Sequence, residues 1–187
     1  RAGLASPLEQ IGEMRAAFAR RDAQQAESAA WGVLGGQPEN IENWKEFTTL
    51  ALEFGRSDAW GSYRMRDLAL AGALNTYTLS RTASARADAL AQLARALSLR
   101  FEHRKALDSY KASLQLADSP QVSAEYLQLR SEKGFRVTGN SVDADTLTPR
   151  ACVEFSEELL KGGVDYANFV TVDGKPSHAG IDPYNTL

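Results

Sequence analysis

The uneven distribution of alanine along this 187-residue chain constrains its fold more than any other feature. Positions 1–130 hold 25 of the 29 alanines, whereas valine, isoleucine and threonine number 9 before position 131 and 12 after it. Alanine favours helices, and β-branched residues favour strands. The composition therefore predicts a mainly α chain in which a long helical part precedes a shorter, strand-prone part.

The charge balance changes at the same place. Positions 1–130 carry 16 basic and 15 acidic groups, and positions 131–187 carry 5 and 9. A formal net charge of −3 argues against a general nucleic-acid binder, which normally has a basic excess. We place the boundary at positions 131–135, where Gly134 can end a helix, and predict a helical domain over 1–132 and a β domain over 133–187.

Apolar residues spaced three and four apart predict helices that come in pairs. Ser6 and Glu9 form a capping-box pattern around Pro7, and Asp22 and Asn40 are further candidate helix caps. The second helix of two pairs has small residues at its packing points: Ala26, Ala30 and Val33 in one, and Ala106, Tyr110 and Ser113 in the other. The pairs resemble tetratricopeptide repeats, helix–turn–helix units of about 34 residues. The pair over 40–80 is too long for that unit, and a plain helical bundle remains the alternative.

Short strands are predicted in the second part. Ala151, Val153 and Phe155 alternate with polar residues, so we expect these three to face inward and Cys152 to face the opposite side. Phe135 and Val137 alternate as an earlier strand, a turn near Asp165 precedes a strand through Val172, and Asp173-Gly174 is a hairpin turn. So few strands correspond to an incomplete β-sandwich, and the end of the chain reads as loop or tail.

Two runs in this region resemble a known family. Pro149-Arg-Ala-Cys-Val-Glu-Phe-Ser-Glu-Glu-Leu159 and Val164-Asp-Tyr-Ala-Asn-Phe-Val170 look like the opening of the first macroglobulin-like β-sandwich of bacterial alpha-2-macroglobulins. The resemblance covers residues 80–172 and extends weakly over 1–80. The sequence after Pro176 departs from the family pattern.

The resemblance implies that the chain is the N-terminal scaffold or docking portion of an endopeptidase inhibitor that protects the cell envelope. Members of the family are large exported proteins, usually periplasmic and often lipid-anchored, and they trap proteases after a bait region is cleaved. The chain contains no Cys-x-Glu-Gln thioester motif and no recognisable bait segment. The expected partners are therefore proteins, namely proteases bound by the parent molecule and cell-envelope proteins. The alternative is a stand-alone tetratricopeptide-like adaptor.

Cys152, the single cysteine, has three readings: a small buried apolar residue, a nucleophile, or half of a disulfide whose partner lies outside the chain. A nucleophile needs a nearby base, and neither His103 nor His178 is close in sequence. The resemblance implies the disulfide, which exported proteins permit.

Three aromatic residues are candidates for a partner-binding groove: Trp44, Trp60 and Tyr63. Helical repeats bind peptides in grooves lined by such side chains, but core packing is the alternative reading for each. The sequence contains no acid–base, metal or nucleophile constellation, so we predict no enzyme activity, no cofactor and no metal site. We expect His103 to be exposed in an inter-helix turn and His178 to lie in the tail.

Overall fold

The computed structural model describes residues 6–145, 147–176 and 178–181. Within these ranges the helices are α1 (Pro7–Ala19), α2 (Ala23–Gly36), α3 (Ile41–Gly55), α4 (Ser62–Leu79), α5 (Ala83–Leu99), α6 (His103–Leu116) and α7 (Pro120–Lys133). The strands are β1 (Val137–Asp143), β2 (Arg150–Phe155), β3 (Thr171–Val172) and β4 (Lys175–Pro176). The chain is mainly α with a short antiparallel β segment, which confirms the predicted fold class.

The contacts divide the chain into two compact units, Arg1–Gly134 and Phe135–Leu187. The first unit contains the seven described helices, and the second contains the strands. No helix in the described ranges combines the length and the apolar character needed to cross a bilayer. The macroglobulin-like identity of the second unit stays a prediction.

The predicted cap residues form hydrogen bonds at the N-termini of α1, α2 and α3. The Ser6 backbone N–H donates to Glu9 Oε2 at 2.6 Å, and the Glu9 N–H donates back to Ser6 Oγ at 3.4 Å, which completes the capping box. Asp22 Oδ1 accepts from the Gln25 N–H at 3.0 Å, and Asn40 caps α3. Each cap satisfies N–H groups that have no partner within the helix and contributes about 1 kcal/mol.

The helices pack as three antiparallel pairs followed by one further helix. The pairs are α1 with α2, α3 with α4 and α5 with α6, and α7 packs against α6. The first helices of successive pairs also contact each other, α1 with α3 and α3 with α5. This pattern is typical of stacked helix pairs. The first two pairs begin at Pro7 and Ile41, at the spacing of a tetratricopeptide repeat. The third pair begins at Ala83, after a longer interval. The tetratricopeptide-like assignment therefore stays a prediction.

Aromatic residues fill the centre of the first two pairs. The rings of Phe47 and Phe54 meet that of Phe18 edge to face, with centroids 6.1 and 6.3 Å away. Edge-to-face pairs of this kind contribute about 0.5–1.5 kcal/mol beyond the burial of their area. Met14, Leu34 and Met65 complete this part of the core.

Small residues bring helices together in the second and third pairs. A Cβ placed on Gly72 of α4 would lie 2.4 Å from Thr48 Oγ1 of α3, so only glycine fits there without movement. On α6, the buried Ser113 hydroxyl donates to the Ala87 carbonyl of α5 at 2.7 Å. Ser113 belongs to the set of close-packing residues predicted for that helix, and its burial confirms the prediction.

The second unit contains two small antiparallel sheets. Strand β1 pairs with β2, with Ser141 opposite Cys152 and Val142 opposite Ala151. Strand β3 pairs with β4 through a turn at Asp173-Gly174, whose φ angles of 51° and 75° suit the tight hairpin turn predicted there. The segment between the sheets forms a short 3-10 helix, Tyr166–Phe169, so the last predicted strand is confined to β3.

Candidate functional site

The structure separates the three aromatic residues that the sequence grouped as a candidate groove. Trp44 is only 8 % exposed, its Nε1 donates to the Pro38 carbonyl at 2.8 Å, and its ring meets Phe47 edge to face. Trp44 is therefore a core residue and does not line an exposed groove. Trp60 and Tyr63 remain, at 85 % and 69 % exposure.

The backbone around Trp60 is held in a defined shape. The Ser57 hydroxyl donates to the Phe54 carbonyl at 2.7 Å and accepts from the Ala59 N–H at 3.4 Å. Gly61 has φ 84°, and a Cβ there would lie 2.3 Å from the Ala23 Cβ at the start of α2. Trp60 is therefore exposed on a loop that is packed against the helices beneath it.

Tyr63 also lies in an ordered setting. The Arg66 guanidinium lies 5.2 Å from the centre of the Tyr63 ring, and its Nε donates to the Gly55 carbonyl at 2.7 Å. The next residue of the helix after Tyr63 is Arg64, which forms an ion pair with Glu27 of α2. One guanidinium group therefore lies over the Tyr63 ring, and the guanidinium of the neighbouring Arg64 is neutralised by Glu27.

The turns within the three helix pairs, 20–22, 56–61 and 100–102, lie at one edge of the helical unit. We call this surface the turn edge, and it includes Trp60 and the adjoining start of α4. Three contacts join its parts: Arg21 lies 5.4 Å from the Phe54 ring, Gly61 packs on Ala23, and Arg100 forms an ion pair with Asp67 of α4. The C-cap residue of each first helix is an arginine, Arg20, Arg56 or Arg100.

The arginines of the turn edge differ in their partners. Arg100 pairs with Asp67 and Glu102. Within the described part of the chain, Arg20, Arg21 and Arg56 form no ion pair, although Arg20 donates to the Gln25 side chain at 2.9 Å. All three are exposed. The turn edge therefore combines two exposed aromatic rings with exposed guanidinium groups, of which Arg56 also lines a groove with Glu125 and Glu132.

A polar groove lies on another face of the same unit. It encloses about 400 Å³ between α3, α5 and α7. Its polar lining includes Lys45 and Thr49 from α3, Gln92 and Arg95 from α5, and Gln121 from α7. The groove is open and presents charges of both signs, since Asp88 also lines it.

A hydrogen-bonded cluster fixes Arg95 beside this groove. The carboxylate of Glu125 on α7 accepts from Arg95 at 2.8 and 3.1 Å, from the Tyr110 hydroxyl at 2.9 Å and from Gln121 at 3.1 Å. Burial alone would raise the pKa of Glu125, but the hydrogen bonds and charge of Arg95, with the two other donors, lower it. Burial, and then the negative charge of Glu125, raises the pKa of Tyr110. The cluster is an ionised structural link between α5 and α7.

Cys152 lies on β2 as a free, half-buried thiol. The expected strand orientation is wrong here, because Val153 is 52 % exposed and Ala151 is exposed, while Cys152 is the more covered residue. Among the described residues this sheet consists of β1 and β2 alone, which leaves Val153 on an exposed face. The disulfide implied by the family resemblance stays a prediction.

The histidines differ from expectation in one respect. His103 was expected to be exposed, but it begins α6 half-buried beside the Phe101 ring, and its Nδ1 is enclosed without a hydrogen-bond partner. His178 is exposed and lies beyond β4, outside any helix or strand. Among the residues that the structure describes, no group of three or more His, Cys, Asp or Glu side chains could hold a metal ion.

The turn edge could not be recognised as one surface from the sequence, because its three turns are far apart along the chain. The available signal was the recurrence of arginine where each first helix ends, at Arg20, Arg56 and Arg100. No protein-family model matches the chain, and no curated protein shows significant similarity to it.

Proposed function

We propose that the helical unit is a protein-interaction scaffold and that the turn edge is its main contact surface. The carrying observation is the exposure of Trp60 and Tyr63 on a well-packed loop and helix start. Tryptophan, tyrosine and arginine are the residue types most enriched among those that dominate binding at protein interfaces. Stacked helix pairs also present extended surfaces suited to partner proteins.

The polar groove supports the same class of function less specifically. The groove is lined mainly by side chains of α3, α5 and α7 and carries charges of both signs. Two of its cations are already paired, Lys45 with Glu42 and Arg95 with Glu125. The turn edge offers more exposed aromatic surface, because the side chains of Trp60 and Tyr63 are 85 % and 69 % exposed.

The scaffold proposal can be tested by photo-crosslinking in source cells. Tyr63 is replaced by p-benzoylphenylalanine, which keeps an aromatic side chain at the turn edge. The control places the same group at Tyr77, which lies near the other end of α4, is less exposed and also has an arginine over its ring. We expect a discrete heavier product from position 63 and none from position 77. Equal products, or none from either position, would contradict the proposal.

A second, more specific candidate is that the chain is the N-terminal scaffold portion of a bacterial alpha-2-macroglobulin. The supporting observation is that Arg150–Phe155, inside the run that resembles that family, forms a strand paired antiparallel with β1. Phe155 also stacks on Phe135, with ring centroids 5.1 Å apart. The apolar side chains of this hairpin, including Val142 and Val153, are exposed, as expected for a sheet whose covering layer belongs to the rest of a sandwich.

An immunoblot of fractionated source cells, with an antibody raised against this chain, tests the macroglobulin proposal. A periplasmic or membrane band far heavier than 20.4 kDa is the expected result. A cytosolic band near that mass would remove the proposal and leave the adaptor function, since the crosslinking result does not depend on the parent.

A further inference from the structure

We propose that α7 is a displaceable strap, which opens as one unit and uncovers on α5 and α6 a groove that accepts an acidic amphipathic helix of a partner protein. We call this surface the α5–α6 groove. It lies under α7, so its use does not depend on whether the turn edge binds a partner.

Helix α7 is attached by few apolar side chains. Val122 is its one buried apolar residue in the described structure, while Tyr126 and Leu129 are half-buried. By contrast, α5 buries six apolar residues. The buried side chains beneath α7 form a small cluster apart from the main core: Ala91, Ala94 and Tyr110. Segments with few buried apolar contacts open at a lower free energy than the rest of a protein, so α7 should open before the helices that it covers.

One charged group supplies the main polar attachment. The Glu125 carboxylate accepts two hydrogen bonds from Arg95 of α5 and one from Tyr110 of α6. The side chains of Arg95 and Glu125 are partly exposed, at 21 % and 28 %. Such a contact is specific in its geometry but modest in its net free energy, because water replaces it when α7 leaves.

The chain on both sides of α7 allows this movement. Helix α6 ends at Leu116, and the connection to Pro120 has extended backbone at Ala117 and Ser119. The boundary between the two compact units falls directly after Gly134. Helix α7 is therefore the last helix of the first unit, and the three helix pairs can stay packed without it.

The inner face of α7 defines the chemistry of the helix that replaces it. Val122, Tyr126 and Leu129 are spaced as i, i+4 and i+7, and Glu125 occupies i+3. These are the anchor positions of an amphipathic helix bound in a groove. The carboxylate at i+3 is required, because Arg95 would otherwise lose its charged acceptor. The occupant is therefore a helix with three apolar anchors and an acidic residue among them.

A permanent cap on the stack of helix pairs is the other reading of α7. A cap requires a polar outer face, which α7 has, with Gln121, Gln128 and Glu132 exposed. Capping does not account for a carboxylate at the centre of the inner face, where an apolar side chain would bury more surface. Charged contacts select a partner more than they tighten its binding, which suits a helix that exchanges.

Hydrogen exchange of the full chain, followed by mass spectrometry, tests whether α7 opens separately. We expect the amides of α7 to exchange at least about tenfold faster than those of α5 and α6. This measurement uses the wild type, so it does not depend on how any variant folds. Equal protection of the three helices would overturn the proposal.

A second experiment supplies α7 as a separate peptide. The probe is a fluorescently labelled peptide with the sequence of residues 119–133, and its binding to the full chain is measured by anisotropy. We expect it to bind the double variant Val122→Ala and Glu125→Ala about tenfold more tightly than the wild type, because the chain's own α7 then competes less for the groove. Leu127→Ala, on the exposed side of the same helix, is the matched control and should bind the peptide as the wild type does. Circular dichroism verifies that the other helices of each variant remain folded.

Three outcomes of the peptide experiment would contradict the proposal. They are a peptide inert toward the double variant, equal binding of a peptide that carries Glu125→Ala, and equal gains from Leu127→Ala and from the double variant. A wild-type dimer that grows with chain concentration and falls as the peptide is added would assign the groove to α7 of a second copy and remove the partner protein. A crosslinked product from position 63 together with any of these outcomes would leave the scaffold function standing.

Discussion

The guanidinium of Arg95 on α5 donates two hydrogen bonds to the carboxylate of Glu125 on α7, at 2.8 and 3.1 Å. The same carboxylate accepts from Tyr110 of α6, so three helices meet at one ionised group. Helix α7 buries few apolar residues, with Val122 its one buried apolar side chain in the described structure. The cluster therefore matters more for docking α7 than a surface ion pair would.

Replacing Glu125 by alanine should lower the free energy of unfolding by about 1–3 kcal/mol, because Arg95 and Tyr110 lose a charged acceptor in a partly buried site. Glu132→Ala is the matched control on the same helix, and since Glu132 is exposed its effect should stay within about 0.5 kcal/mol. Urea denaturation followed by circular dichroism measures both. Equal losses would mean that the cluster does not hold α7.

Stability should depend on pH through Glu125. Its pKa is lower in the folded chain than its ordinary value of 4.5, so ionised Glu125 contributes stability above that value and loses it as the pH falls through the folded pKa. Glu125→Gln should be less stable at neutral pH and should approach the wild type in acid, where both side chains are uncharged. Urea midpoints across this pH range test the expectation. A difference between the two proteins that does not change with pH would contradict it.

Local signals in the sequence predicted much of the helical unit. The side chains of Ser6, Glu9 and Asp22 bond to backbone N–H groups three residues away. Their caps could therefore be identified without knowledge of the fold. The 3-10 helix at Tyr166–Phe169 was missed, because its apolar residues also suit a strand and the Asp165 side chain, which accepts from the Ala167 N–H, selects the turn.

The candidate site was less predictable, because it depends on contacts between distant residues. The sequence does not show which tryptophan is buried: Trp44 lies within α3 and packs against Phe47, whereas Trp60 lies in the turn before α4 and is exposed. The pairing of Arg95 with Glu125 and the absence of an ion pair at Arg56 likewise follow from which helices are neighbours.

Two glycines in helix interiors should respond to alanine in opposite directions. Gly72→Ala forces a methyl group against Thr48 and the Phe47 ring, which lies 3.1 Å from the added carbon, and should cost about 1–3 kcal/mol. Gly32 of α2 has no neighbouring atom within 4 Å of that position, so Gly32→Ala should stabilise the helix by about 0.5–1 kcal/mol. Thermal and urea unfolding measure both variants. A stabilised Gly72→Ala protein would show that α3 and α4 can separate at little cost.

Gly61→Ala should destabilise the chain for two separable reasons. A non-glycine residue at φ 84° costs about 1–2 kcal/mol of backbone strain, and the new methyl group overlaps the Ala23 side chain. A double-mutant cycle with Ala23→Gly separates them, because the second change removes the overlap and leaves the strain. We expect the double variant to be more stable than the sum of the two single losses predicts, by urea denaturation. Strict additivity would mean that the loop moves away from α2, in which case Trp60 should also show faster depolarisation of its fluorescence in a Trp31→Phe, Trp44→Phe background.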